Sequence, residues 1–134
     1  RPAIETVSGS VPLLEKNRYW LEEIIKLCRE EGIELWLVKS PSNLEAEEKP
    51  LLNTVKSIAA QNGVPFHDFN EDYWDIGLDE TMFYDAHHLD VTGAGKFSRY
   101  FASAMAAARP NLKTDPDDPV WAADLETYHE ALEG

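Results

Sequence analysis

Residues 32–43 read Gly32-Ile33-Glu34-Leu35-Trp36-Leu37-Val38-Lys39-Ser40-Pro41-Ser42-Asn43, and this stretch decides the fold. Its first part, Ile33–Val38, is a short apolar run that follows directly on a glycine. Such runs are typical of strands that are buried on both faces of a parallel sheet. Its last part, Lys39–Asn43, is a polar loop. We therefore predict a buried strand over Ile33–Val38 with a loop at its carboxyl end.

Helical periodicity flanks this strand on both sides. Before it, apolar residues recur at helical spacing over residues 13–31, and Gly32 fits the position just after a helix, where a positive φ is favourable. After it, the spacing predicts a second helix over about residues 44–61. Pro50 conflicts with a continuous helix and fits as the first residue of a helix that starts there, with residues 44–49 as a separate turn. The face of the first helix that should pack on a sheet carries Trp20, Leu21, Ile24, Ile25 and Cys28.

The next segments predict a second strand, a long loop and a third helix. Val64–Phe69 is the second strand candidate, and Pro65 places its first residues at the start or the edge of a sheet. Residues 70–90 show no sustained period and are predicted to be a long functional loop. A third helix is predicted with Thr92 as its N-cap, and Arg109-Pro110 ends it.

This alternation of helices and strands predicts an α/β fold, in which a parallel sheet carries helices on its faces. Two strands make a thin sheet, so the chain either supplies part of a larger sheet or pairs with another chain. We divide it into an irregular lead-in (1–12), an α/β domain (13–110) and an acidic tail with a short helix (111–134). The tail helix lies on the surface of the domain or docks to a partner.

Composition and charge exclude several classes of partner and site. The chain has 134 residues, the usual size of one domain, and its net charge of −13 repels phosphate backbones and anionic lipid heads. We therefore expect no nucleic-acid partner and no membrane insertion, and we find no signal-peptide pattern and no membrane-spanning run. These absences leave the compartment open. The single cysteine, Cys28, excludes an internal disulfide and a zinc site built on several cysteines. No cofactor is predicted.

The chemistry-bearing stretch follows the long loop and contains Asp85-Ala86-His87-His88. A histidine suits general-base work near neutral pH, and it needs a carboxylate that fixes its tautomer. Asp85 lies three residues before His88, close enough to reach the Nδ1 atom of its ring, whereas His87 should face the other way. Two alternatives stay open: the pair satisfies only local hydrogen bonds, or these residues together with Asp90 bind zinc or iron.

Residues 85–97, Asp85-Ala86-His87-His88-Leu89-Asp90-Val91-Thr92-Gly93-Ala94-Gly95-Lys96-Phe97, resemble the last motif block of the SGNH/GDSL hydrolase superfamily. That block carries Asp-x-x-His and continues into a helix. The strand at Ile33–Val38 with its loop through Ser42, and the strand at Val64–Phe69, are similar to the late strands of the same family. The resemblance covers roughly residues 19–104.

The resemblance implies a three-layer αβα, flavodoxin-like parallel sheet, incomplete in this chain. It implies that His88 is the general base and that Asp85 orients it. Family members cleave or transfer acyl groups with a serine from an early Gly-Asp-Ser block, so the implied substrate is a small-molecule or carbohydrate ester. The residues expected to line a substrate pocket are Ser40, Ser42, Asn43, Tyr84 and His87. The aromatic residues Tyr73, Trp74, Phe83 and Tyr84 either wall that pocket or form a small core within the loop.

The sequence departs from the family where the nucleophile should be. It has no Gly-Asp-Ser, no Gly-x-Ser-x-Gly and no Gly-x-Asn-Asp segment, and Asp90 stands where asparagine is usual. Without the serine there is no covalent step, and without oxyanion donors the barrier rises further. We therefore expect the chain to be the acid–base half of a hydrolase or O-acyltransferase that is inactive alone, and to pair with a missing N-terminal portion or with itself. The alternatives are a non-catalytic α/β binding module and a metal-dependent enzyme.

Overall fold

The computed structural model describes residues 7–43, 47–111 and 119–133. The described chain is mostly helical and contains a small parallel sheet, which confirms the alternation of helices and strands but shows a smaller sheet than a three-layer fold has. The elements in chain order are α1 Glu15–Glu30, β1 Leu37–Lys39, α2 Lys49–Gln61, β2 Phe66–Asp68, α3 Tyr73–Ile76, a 3₁₀ turn at Glu80–Met82, α4 Val91–Ala108 and α5 Pro119–Glu133.

The chain divides into two compact units, Arg1–Tyr100 and Phe101–Gly134, with the boundary inside α4. The first unit contains the sheet and the Asp85–His88 segment. The second contains the end of α4 and also α5, the helix predicted for the acidic tail. On α5 the side chains of Val120, Trp121, Leu125 and Tyr128 are all exposed.

No helix within the described residues combines the length and the apolar character needed to cross a bilayer.

The first two helices end in the same way, and each ending leads the chain toward a strand. Gly32 and Gly63 take φ values of 66° and 67°, as the sequence predicts for Gly32. Beyond each glycine the amide of the next residue, Ile33 or Val64, donates to a carbonyl in the last turn of the helix, at 2.7 and 2.9 Å. This is the Schellman arrangement, which satisfies helix-end carbonyls and requires a left-handed residue that glycine adopts without a steric penalty.

The first strand is shorter and later than predicted. Pairing with β2 begins at Leu37 opposite Phe66 and ends at Lys39, so the predicted bounds Ile33–Val38 are wrong. The physical reason lies partly in Ile33, whose amide completes the end of α1. It also lies in Pro65, which has no N–H and offers only its carbonyl, to the amide of Leu37 at 2.9 Å. The second strand is shortened to Phe66–Asp68 for the same reason.

The second helix begins at Lys49, so a helix over all of residues 44–61 is wrong and the alternative start near Pro50 is close to the observed one. Pro50 is the second helical residue, where a missing N–H leaves no helical hydrogen bond unmade. Residues 44–46 lie outside the described chain. The buried face of α2 holds Ile58 and Ala59, as the periodicity predicts.

Residues 70–90 have more structure than the predicted loop. The short helix α3 ends at Gly77, whose φ of 76° is left-handed, and its neighbourhood supplies much of the core. The rings of Tyr73 and Phe83 stack at 6.1 Å with an interplanar angle of 4°, which supports the small-core interpretation of the loop aromatics. The buried apolar side chains of the described residues are Ile25, Ile58, Ala59, Phe69, Tyr73, Ile76 and Leu78.

The N-cap of α4 is Asp90, so the prediction of Thr92 is wrong by two positions. The carboxylate of Asp90 accepts a hydrogen bond from the amide of Gly93 at 2.7 Å, which satisfies one of the donors left over at a helix start. Gly93 is buried, and a Cβ on it would lie 2.6 Å from the carbonyl oxygen of Met82. The close approach of α4 to the preceding chain therefore depends on a glycine at this position.

Much of the apolar face of α1 is exposed. Of its predicted sheet-facing side chains Ile25 is buried, whereas Trp20 and Ile24 are 58% and 48% exposed. Leu27 is also exposed, and together with Trp20 and Ile24 it lines a depression of about 240 Å³ on the outer side of the helix. The prediction that α1 packs one face on the sheet is therefore met only in part: Ile25 is buried, whereas the described residues leave Trp20 and Ile24 exposed.

We predict that Gly93→Ala destabilises the protein by about 1–3 kcal/mol, because the new methyl group meets a backbone carbonyl that cannot move aside. Urea unfolding measures the effect. Gly95→Ala is the matched control on the same helix, since its Cβ would approach only the flexible end of Arg99, at 3.6 Å. The control should be neutral or stabilising by up to about 1 kcal/mol. Equal stability of the two variants would contradict the close approach at Gly93.

Candidate acid–base site

The Asp85–His88 segment is a short loop that is closed at its base. Phe83 and Leu89 form an antiparallel bridge, and the amide of Tyr84 donates to the carbonyl of His88 at 2.8 Å. The two ends of the loop are therefore held side by side, and α4 begins directly after it. This closure brings Asp85 and His88 to the same side of the loop.

The Asp85 carboxylate gathers three donors. Its Oδ1 atom accepts hydrogen bonds from the backbone amides of His87 and His88 at 2.8 and 2.9 Å. The ring of His88 also turns back to it, with Nδ1 at 2.8 Å from Oδ1 and 2.9 Å from Oδ2. The contact expected from the three-residue spacing is thus present, and His87 contributes its backbone to it.

This contact fixes the tautomer of His88. An ionised carboxylate can only accept hydrogen bonds, so Nδ1 must carry the proton. In the neutral ring Nε2 then holds the lone pair, on the side of the imidazole away from Asp85. The His88 side chain is 73% exposed, which gives a reacting group access to Nε2. The arrangement can accept a proton at Nε2 and stabilise the resulting imidazolium through Asp85.

The electrostatics of the loop keep Asp85 ionised. The hydrogen bond from the backbone of His87 lowers the pKa of Asp85 below its ordinary value, and the hydrogen bond from the His88 ring lowers it further. The Asp85 side chain is nearly half exposed, so the surrounding water also solvates the charge. Asp85 therefore remains a hydrogen-bond acceptor at every pH at which a histidine acts as a base.

The five predicted pocket residues lie around this loop and in the one after β1. The amide of Asn43 donates to the carbonyl of Ala86 at 2.9 Å, which ties the two loops together. Tyr84 is 85% exposed, and Asn43 is half-buried. Ser40 and His87 are exposed, and Ser42 is buried.

Ser42 has a structural use in this loop. It is 1% exposed, and its hydroxyl accepts a hydrogen bond from the Lys39 ammonium at 2.9 Å. The same ammonium donates to the carbonyl of Ser40, so Lys39 joins two residues of the loop that follows it. A serine that attacks an ester must reach the substrate, and the burial of Ser42 keeps its hydroxyl inside the loop.

A buried polar network beneath these loops was not among the predicted site residues. The Lys49 ammonium donates to Asp68 at 2.8 Å and to Glu71 at 3.1 Å, and the side chains of Lys49 and Asp68 are only 8% and 1% exposed. Asn70 donates to Asp68 through both its backbone and its side chain. An aspartate at the carboxyl end of a strand, followed two residues later by an asparagine, is the local signal that could have found it.

Opposing effects set the ionisation of this network. Burial raises the pKa of Asp68, but hydrogen bonds from Lys49 and Asn70 outweigh it and leave the pKa of Asp68 below its usual value. Burial lowers the pKa of Lys49, and its bonds to Asp68 and Glu71 more than compensate, so the pKa of Lys49 is raised. Both partners are therefore charged at neutral pH.

The histidine and acidic side chains around the loop do not gather into a metal site. Across residues 7–43, 47–111 and 119–133, no three His, Cys, Asp or Glu side chains converge where an ion could sit. Asp90 uses its carboxylate to cap α4, and Asp85 uses its own on three donors of its loop. The alternative of a metal-dependent enzyme finds no support in this geometry.

A second histidine–carboxylate pair lies on β2. The His67 Nε2 atom is 2.6 Å from a carboxylate oxygen of Asp72, and the ring contacts Phe69 at a centroid distance of 4.2 Å. The His67 side chain is about half exposed. This pair resembles the first in chemistry and is a matched control for experiments on His88.

Comparison with known proteins identifies a family. The sequence model of an uncharacterised protein family matches residues 4–108, which include both strands and the Asp85–His88 loop. No curated protein and no solved structure is similar enough to count as a match.

We predict that the ¹⁵N chemical shifts of His88 in the neutral ring report the proton on Nδ1, because the Asp85 carboxylate accepts from that atom. Asp85→Ala removes the acceptor and should move the shifts toward the mixture of tautomers seen in free imidazoles. His67, whose Nε2 faces its carboxylate, should report the opposite tautomer and stay unchanged in Asp85→Ala. A His88 spectrum that is insensitive to Asp85→Ala would contradict the contact.

We predict that Asp68→Asn destabilises the protein at pH 7 by about 3 kcal/mol, because the buried Lys49 ammonium then keeps only Glu71 as a carboxylate partner. The pKa of Asp68 is lower in the folded than in the unfolded chain, so its contribution is complete above about pH 4 and lost as the pH falls through the folded value. Urea midpoints of wild type and variant should therefore converge as the pH falls through the folded pKa of Asp68, which lies below its ordinary value. A larger difference in acid than at pH 7 would contradict the assignment.

Proposed function

We propose that this chain, which belongs to the uncharacterised family matched over residues 4–108, is the acid–base portion of an SGNH/GDSL-like acyl hydrolase or O-acyltransferase. His88 is the general base, and Asp85 holds its ring. One observation carries the proposal: the exposed imidazole of His88 is held through Nδ1 by a carboxylate three residues earlier, in a loop that leads directly into α4.

The chemistry follows from the orientation of the ring. A serine hydroxyl attacks the ester carbonyl carbon while Nε2 of His88 takes its proton, and Asp85 stabilises the imidazolium. The tetrahedral intermediate then expels the alcohol, which leaves with that proton, and an acyl-serine remains. Water or a sugar hydroxyl attacks the acyl-serine next, again giving its proton to His88, and the serine is regenerated. The serine comes from outside residues 1–134, because no Gly-Asp-Ser occurs within them.

The finer fold goes with this function. We propose that the two strands belong to a larger three-layer, flavodoxin-like parallel sheet. Hydrogen bonds to β2 use Leu37 and Lys39, which leaves the backbone of Val38 directed to the other edge of β1. The Val38 side chain is 46% exposed, although strands in parallel sheets are normally buried on both faces. The exposed apolar side chains of α1, Trp20 and Ile24, are a second surface that further elements of such a fold would cover.

A small acylated carbohydrate is the substrate class that suits this surface. Tyr84 is next to Asp85 in the chain and presents an almost fully exposed ring, which can stack on the face of a sugar. The net charge of −13 disfavours strongly anionic esters. Neutral sugar esters avoid that repulsion and offer both an acyl group and hydroxyl acceptors.

The decisive experiment is ester hydrolysis by the protein as its gene encodes it, with a short-chain p-nitrophenyl ester. His88→Ala should lower kcat/KM by about 10²–10⁴-fold, because the general base is lost. Asp85→Asn should also lower it, through loss of the correct tautomer. His67→Ala removes an exposed, carboxylate-paired histidine elsewhere and should leave the rate within about twofold of wild type.

Two results would overturn the proposal. One is hydrolysis that survives His88→Ala or falls equally in His67→Ala. The other is an encoded protein that contains no nucleophilic serine and turns over no ester. The second result would favour a non-catalytic α/β binding module, for which the exposed apolar face of α1 and its depression are the supporting observation.

A further inference from the structure

The buried ion pair between Lys49 and Asp68 is the start of a connected set of hydrogen bonds. The two carboxylate oxygens of Asp68 accept hydrogen bonds from different residues. Oδ2 accepts from the Lys49 ammonium at 2.8 Å, whereas Oδ1 accepts from the side-chain amide of Asn70 at 2.8 Å and from its backbone at 3.1 Å. The Asn70 side chain is therefore held in one orientation, with its own carbonyl oxygen pointing away from Asp68.

That carbonyl oxygen reaches the loop after β1. It accepts a hydrogen bond from the amide of Ser42 at 3.0 Å, and Asn70 and Ser42 are both buried. The next residue, Asn43, donates its amide to the carbonyl of Ala86 at 2.9 Å. Ala86 lies between Asp85 and His88. Four hydrogen bonds, joined by the peptide bond between Ser42 and Asn43, thus lead from the start of α2 to the loop that carries the imidazole.

We infer that Lys49, Asp68 and Asn70 are positioning residues for the Asp85–His88 loop and act on it through Ser42 and Asn43. We call this set the positioning relay. The loop itself is exposed, and the bonds to Asp85 and the bridge at its base set its internal shape, whereas the bond from Asn43 to Ala86 joins it to the loop after β1. A chain of directional hydrogen bonds from a buried anchor selects one orientation of the loop, because each link has a narrow range of distance and angle.

The chemistry of the anchor fits this role better than a role in stability alone. A buried ion pair loses hydration energy on folding, and apolar residues of the same volume frequently give equal or greater stability. What an apolar pair cannot supply is an orienting acceptor for Asn70. Glu71 contacts the same ammonium but leads to no loop, and its side chain is nearly half exposed. A substitution of Glu71 therefore changes the charge around Lys49 without breaking the hydrogen-bond path to the loop.

The relay is tested by amide hydrogen exchange and by the ¹⁵N shifts of His88 in Asn70→Ser and Asn70→Ala. Serine can still donate to Asp68 but is too short to reach the Ser42 amide. Both variants should speed exchange at the Asn43 amide by about five- to tenfold, while α1 amides such as that of Ile25 stay within about twofold of wild type. The His88 shifts should move toward a mixture of tautomers. Glu71→Gln, the matched control, should leave Asn43 and His88 unchanged.

Three outcomes would overturn the relay. They are unchanged Asn43 exchange in both Asn70 variants, faster exchange spread evenly over α1 and the loop, and equal effects of Glu71→Gln. The inference rests on the proposed function only where it treats the positioned loop as catalytic. Because the readouts need no turnover, an inert protein with a responsive Asn43 amide sinks the hydrolase proposal and keeps the relay. An active protein whose Asn43 amide does not respond keeps the hydrolase proposal and overturns the relay.

Discussion

A single carboxylate, that of Asp85, is the constraint on which the candidate site depends. It accepts from two consecutive backbone amides and from the ring of the second of those residues, His88. The backbone bonds set the turn, and the turn sets the direction of the ring. The same contact fixes the protonated nitrogen, so the shape of the loop and the chemistry of the imidazole follow from one interaction. Without it, His88 would be an exposed histidine with no defined proton acceptor.

Beside its apolar core, the first unit also buries polar side chains and leaves part of one apolar helix face exposed. Lys49, Asp68 and Asn70 are buried beneath the loops, whereas Trp20 and Ile24 on α1 are exposed. Buried charges are stable only when they are paired and hydrogen-bonded, and here Lys49 pairs with Asp68, which also accepts from Asn70. Exposed apolar faces of this extent are typical of surfaces that another segment covers. The exposed face of α1 is one of the observations on which the proposal of a larger sheet rests.

Local signals in the sequence are sufficient wherever a residue acts on its near neighbours. Gly32 ends α1 as predicted, and Asp85 reaches His88 across three residues as predicted. The bounds of a strand could not be predicted in this way, because they depend on the partner strand. Pro65 limits where β1 can begin, although the first residue of β1, Leu37, lies 28 positions before it in the chain. The start of α4 shows the same limit. Thr92 and Asp90 are both good capping residues, and contacts with the preceding chain select Asp90.

The buried network shows why part of the site could not be predicted. Lys49 is 19 residues from Asp68 and 22 from Glu71, and no periodicity connects them. A lysine at a helix start and an aspartate at a strand end are each ordinary on the surface of a protein. Only the packing of α2 beside β2 buries both and makes them partners. Pairing across such distances is set by the fold as a whole.

The most direct test of the acid–base assignment is covalent labelling of the encoded protein with a fluorophosphonate, which reacts with serines that a neighbouring base activates. The account predicts one labelled serine, identified by peptide mass spectrometry in a segment outside residues 1–134, and loss of labelling in His88→Ala but not in His67→Ala. Labelling that persists without His88, or the absence of any labelled serine in a folded protein, would contradict it.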